Sequence, residues 1–71
     1  VISHLDYVRV RPEAEPRYEP GHEGSVVSVF VIPDQRVARS LGEKIGTRMI
    51  GVEADDGSVI EVPERFLDKL A

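Results

Sequence analysis

There is no cysteine and no tryptophan among these 71 residues. The first absence excludes disulfides, thiolate metal sites and a cysteine nucleophile. No apolar run approaches the roughly 20 residues of a membrane span. The opening VISHLDYVRV has no basic region followed by an apolar stretch, so it does not read as a signal peptide. It also lacks an initiator methionine, which fits a trimmed or processed chain. No serine sits in an elbow motif, no glycine-rich phosphate loop is present, and no acid–base pair stands out, so no catalytic residue is assigned. A homo-oligomer that assembles a pore at a symmetry axis keeps enzymatic activity an open question. Two Tyr and two Phe are too few to line the aromatic groove that binds proline-rich peptides. The two histidines, His4 and His22, fall short of the four ligands zinc normally takes, so neither a metal nor a cofactor is expected. A cytoplasmic protein is the default expectation.

What remains is one small domain over residues 1–71, near the lower limit for folding without staples. Its core must come from Val, Ile, Leu and a few aromatics. Such a core leaves a thin stability margin, which oligomerisation or a protein partner would widen. The net charge of −4 is unevenly spread. Glu13, Glu15, Glu19 and Glu23 face Arg17 alone in residues 13–23, whereas Arg36, Arg39, Lys44 and Arg48 face Glu43 alone in residues 35–48. A net acidic domain is a poor general nucleic-acid binder, because phosphate contacts dominate that affinity. The basic middle suits an acidic partner, the acidic loop of a second copy included; a solvated loop is the ordinary alternative.

The order of elements is legible. In Leu5–Arg11 (LDYVRVR), Val8 and Val10 alternate with Arg9 and Arg11, the period of a half-buried strand, and Pro12 ends it. Residues 12–23 hold three prolines and Gly21 and read as a stiffened loop. Gly24–Ile32 (GSVVSVFVI) is apolar on both faces, as expected of a central strand bent across a core. Asp34 is placed to cap a short helical turn over 34–41, with Val37 and Leu41 four apart and Gly42 as its stop. Thr47–Ala54 forms the next strand, with Gly51 marking a bulge or a close backbone approach. Asp55-Asp56-Gly57-Ser58 is a tight turn, and Ser58–Val62 returns. PERFL at 63–67 suits a 3₁₀ turn that plugs a barrel end with Phe66 and Leu67, before a short last strand or tail over 68–71.

This order predicts an all-β fold, a five-stranded SH3-like barrel whose closure removes exposed edges. The alternative is an α+β sandwich with a true helix at 34–44.

Several short motifs add a resemblance. Val8–Arg11, Pro16-Arg17-Tyr18, Gly24, Pro33-Asp34, Gly42-Glu43 and Glu64–Leu67 follow one another much as in the C-terminal barrel domain of nitrile hydratase β subunits, which the chain resembles over most of its length. Ala14 and Glu15 stand where that family usually has an arginine and often a histidine, and the Asp55–Ser58 turn replaces a segment often containing Trp-Gly. The family's metal is held by cysteines of a separate α subunit. The resemblance therefore implies something closer to the small accessory proteins of that system, which hold or exchange the α subunit during metal loading.

Five residues are candidates for partner binding. Arg17 can reach a partner carboxylate or oxidised sulfur in bidentate fashion, or pair locally with Glu15 or Glu19. Tyr18 is either an interface anchor or a cover for the barrel's end with its hydroxyl in water. His22 beside Glu23 is a candidate base or ligand. Arg36 and Arg39 belong to the basic middle. Two functions compete: a protein-interaction module, as an accessory barrel or subunit of a metalloenzyme, and an SH3-like nucleic-acid-associated domain using residues 35–48 with Tyr18 for stacking.

Overall fold

The computed structural model describes residues 1–70. Five strands form one antiparallel sheet: β1 (Tyr7–Val10), β2 (Glu23–Val31), β3 (Arg48–Glu53), β4 (Val59–Pro63) and β5 (Leu67–Leu70), in the order β4-β3-β2-β1-β5. One α-helix, α1 (Gln35–Leu41), lies between β2 and β3. Two 3₁₀ turns sit at Pro16–Tyr18 and Glu64–Phe66. This is the all-β, SH3-like arrangement that the order of elements predicts. No β4–β5 ladder completes it among the described residues. The Pro16–Tyr18 turn packs beside β4 instead, and the Glu64–Phe66 turn carries the chain from β4 to β5.

Each element follows from its residues. Val8 and Val10 are fully buried while Arg9 points out, as the alternation requires. The strand starts at Tyr7 rather than at Leu5, because Leu5 adopts φ 74°, a left-handed conformation no strand accommodates. In β2 the register slips between Val26 and Ser28, opposite Val52 and Gly51. This bulge lets one strand serve two cores. Val26 enters the main core with Val8, Val10, Ile50, Val52 and Val62, while Phe30 packs against a smaller cluster of Ile32, Ala38 and Met49. The expected irregularity at Gly51 is thus a bulge on its neighbour, and Gly51 is the close approach: a Cβ there would collide with Ser28 Oγ.

The β3–β4 hairpin closes with Gly57 N donating to Ala54 O and Ala54 N to Ser58 O, both 2.9 Å. Asp56 Oδ1 accepts from Ser58 N at 2.9 Å and from its hydroxyl at 2.7 Å, which holds the Asp56 carboxyl below its usual range. The Asp-Asp pair is therefore turn chemistry. Counting back from this turn, the Met49–Pro63 pair falls at a position needing no ladder donor, so proline fits there. The last strand begins one residue earlier than expected, at Leu67; Ala71 lies outside the described residues.

The helix is seven residues long and no second α-helix lies among the described residues, so the sandwich alternative does not apply. Asp34 caps it, accepting from Val37 N at 3.0 Å, and Gly42 ends it with φ 68°. Val37 and Leu41 are only partly buried; the residue driven fully into the core is Ala38.

Candidate functional site

The end of α1 is tied to the 12–23 loop and to the second 3₁₀ turn by one carboxylate. Pro16 opens the first 3₁₀ turn with its φ already set, and this delivers Arg17 and Tyr18 to the helix's last turn. Arg17 Nη1 and Nη2 donate to the carbonyls of Leu41 and Gly42, each at 3.0 Å, filling acceptors the helix leaves open. Arg17 Nε also lies 3.0 Å from Glu15, the local pair anticipated from sequence. Its Nη2 is 3.3 Å from Glu43 Oε2.

Glu43 is the hub. Its side chain is only 5% exposed, yet it remains charged in place. Tyr18 Oη donates to Oε2 at 2.6 Å, and Arg65 Nη2 sits 2.9 Å from Oε1 and 3.1 Å from Oε2. Burial alone would raise the carboxyl's pKa. The Tyr18 hydrogen bond and the two guanidinium groups outweigh it and hold Glu43 below its ordinary 4.5. The same contact acts oppositely on tyrosine: burial, then the bond to Glu43, pushes the Tyr18 hydroxyl up to about 12.

The rings complete the cluster. Tyr18 and Phe66 lie 5.9 Å apart, centroid to centroid. Arg17 stacks over Tyr18 at 4.6 Å and Arg65 over Phe66 at 4.5 Å, so two guanidinium-capped rings converge on one carboxylate. Tyr18 is 5% exposed, and its hydroxyl goes to Glu43 and not to water.

The remaining candidates divide. Arg36 and Arg39 are exposed on α1. His22 lies elsewhere, immediately before β2. Its Nε2 is buried without a hydrogen-bond partner. No group of three or more His, Asp or Glu gathers as for a metal among the described residues, and no helix there is long and apolar enough to cross a membrane.

The unassigned cations are more informative than any single residue. Of nine Lys and Arg, six lie within 4.0 Å of a carboxylate among the described residues: Arg9, Arg11, Arg17, Arg48, Arg65 and Lys69. The other three, Arg36, Arg39 and Lys44, all stand on α1 or in the turn after it. The helix is a ridge between two clefts. On one side, Arg39, Lys44, Thr47 and Arg65 border an open cleft of about 800 Å³ above Glu43. On the other, a smaller cleft of about 460 Å³ has Phe30, Val37 and Leu41 among its walls.

Sequence reasoning missed Glu43 as the hub and Arg65 as its partner. In the sequence Glu43 reads only as a loop charge and half of a Gly-Glu pair. The available signal was Pro16 ahead of Arg-Tyr, a proline well suited to open a helical turn in an otherwise irregular loop.

No protein family, curated protein or solved structure matches the chain.

Proposed function

We propose that the chain is a non-catalytic protein-interaction module whose docking element is α1, and that its partner presents an acidic face. The observation that carries this is that the three cations without an ion-pair partner among the described residues all lie on α1 and the adjoining turn, in a domain of net charge −4. Exposed cations without partners cost little in an isolated fold and gain most when a carboxylate arrives. The Glu43 cluster supports the role by fixing the helix's last turn. Arg17 and Tyr18 act in this reading as positioning residues beneath the docking face, and His22 lies apart from it. Taken with the resemblance of Val8–Arg11, Pro16–Tyr18 and Glu64–Leu67 to nitrile hydratase β barrels, the partner is the metal-binding subunit of such an enzyme, which the chain serves as an accessory or as a subunit.

The test is affinity capture from the source cell at low and high salt, with protein, nucleic-acid and metal analysis of the catch. The bait is the wild type or the triple variant Arg36→Glu, Arg39→Glu, Lys44→Glu. A protein held at low salt, released by salt and lost by the variant is the expected result, with metal in that protein supporting the accessory role. Nucleic acid in its place transfers the site to the other class. Capture of the chain alone identifies self-association. A catch indifferent to the triple variant overturns the proposal.

A further inference from the structure

The second cleft of α1 has a chemistry of its own. Its walls include Phe30 from β2 and Val37 and Leu41 from the helix, all partly buried against Ile32, Ala38 and Met49. Arg36 and Ser40 line it from the helix, and Glu61 lines it from β4. Arg36 and Glu61 share this cleft without forming an ion pair. The result is an apolar recess with an uncommitted cation on its helix side and a carboxylate on its strand side.

We propose, resting on the acidic-partner reading above, that this recess takes a branched aliphatic side chain from a partner segment that also places carboxylates over Arg36 and Arg39. Charge complementarity selects the occupant. An acidic residue next to the anchor is drawn to Arg36 and kept off the strand side by Glu61, so the segment binds in one orientation. An anchor in an apolar recess ringed by polar groups is how most of the energy of a protein interface is concentrated. A nucleic acid supplies the negative charge but no branched aliphatic side chain for Phe30, Val37 and Leu41 to enclose. Burying one leucine-sized group corresponds to about 10- to 100-fold in affinity.

Three blocked peptides test this against the isotopically labelled chain by NMR titration: one of Asp and Leu, one with Ser for Leu, and one with Asn for Asp. The Asp–Leu peptide is expected to bind and to shift the amides of Phe30, Val37 and Leu41. Serine for leucine weakens it about 10- to 100-fold. Val37→Gln in the protein has the same effect, and Arg36→Glu, which leaves the apolar walls intact, abolishes binding. If the Asp–Leu and Asp–Ser peptides bind alike, the apolar recess is not used, while acidic docking on α1 stands. If the Asn–Leu peptide binds as well as Asp–Leu, the acidic-partner reading itself fails. If no peptide binds in the millimolar range, the recess proposal is overturned.

Discussion

Tyr18 and Glu43 stand 25 residues apart in sequence and share a 2.6 Å hydrogen bond, with the carboxylate almost wholly out of solvent. That contact joins a proline-stiffened loop to the end of the only helix among the described residues. It belongs to tertiary structure alone, since nothing local to either residue calls for it.

Tyr18→Phe keeps the ring and deletes the donor. Hydrogen bonds to charged groups contribute about 1.5–3 kcal/mol. In a domain of this size a loss of about 2 kcal/mol lowers Tm by roughly 10 °C. Thermal melts of wild type and Tyr18→Phe measure it. An unchanged Tm would mean that Glu43 is held by its arginines without help from tyrosine.

The pH dependence has two arms of opposite sign. Glu43 titrates below its ordinary 4.5 in the folded state, so its contribution is complete above that value and is lost as pH falls through the depressed folded pKa. Tyr18 titrates at about 12 rather than 10, so its contribution is complete below 10 and is lost as pH climbs toward 12. Urea midpoints of wild type minus Glu43→Gln are expected to differ by a constant amount at neutral pH and to converge in acid. Ultraviolet titration of a Tyr7→Phe variant, which leaves Tyr18 as the single tyrosine, reads the alkaline arm directly.

Gly42 meets two demands at once. Its φ of 68° is costly for an L-residue by about 1–2 kcal/mol, and a Cβ there would run into the Arg17 guanidinium. Gly42→Ala therefore destabilises through the backbone and by displacing Arg17 from the Leu41 and Gly42 carbonyls. A double-mutant cycle with Arg17→Ala separates the two parts. The penalty should shrink in the Arg17→Ala background to the backbone cost; equal penalties in both backgrounds would show that Arg17 moves aside freely.

At the other end of α1, Asp34→Ala is expected to cost about 1 kcal/mol by removing the cap on Val37 N, and Asp34→Asn much less. Chemical denaturation checks the pair. The alanine variant should also weaken partner binding without touching any proposed contact, because the ridge that carries Arg36 and Arg39 begins at this cap.

The strands were legible because alternation and proline are local signals. Val8 and Val10 against Arg9, and the Asp55–Ser58 turn, announce themselves within a few residues. Gly24–Ile32 could be seen to serve both faces, though not where its bulge falls, since that depends on the pairing of Ser28 with Gly51. The Arg17–Glu15 pair was visible for the same local reason. Glu43 was not, because a glutamate after a helix stop normally faces water, and what buries it comes from Tyr18 and Arg65, about two dozen residues away on either side. The exposed positions of Arg36 and Arg39 follow from charge, but their lack of partners among the described residues depends on where the carboxylates lie in the fold, which no local signal carries.

Because a single carboxylate binds the Pro16–Tyr18 turn, the end of α1 and the Glu64–Phe66 turn, loosening either turn takes a partner away from a buried charge and weakens the hold on the other two segments. The three are expected to behave as one cooperative unit of local unfolding, assembled from pieces spread across most of the chain, which hydrogen exchange measures. The amides of Tyr18, Glu43 and Leu67 then exchange with solvent through a shared opening event. Whatever rigidifies α1 is then expected to slow exchange in the Pro16–Tyr18 turn as well.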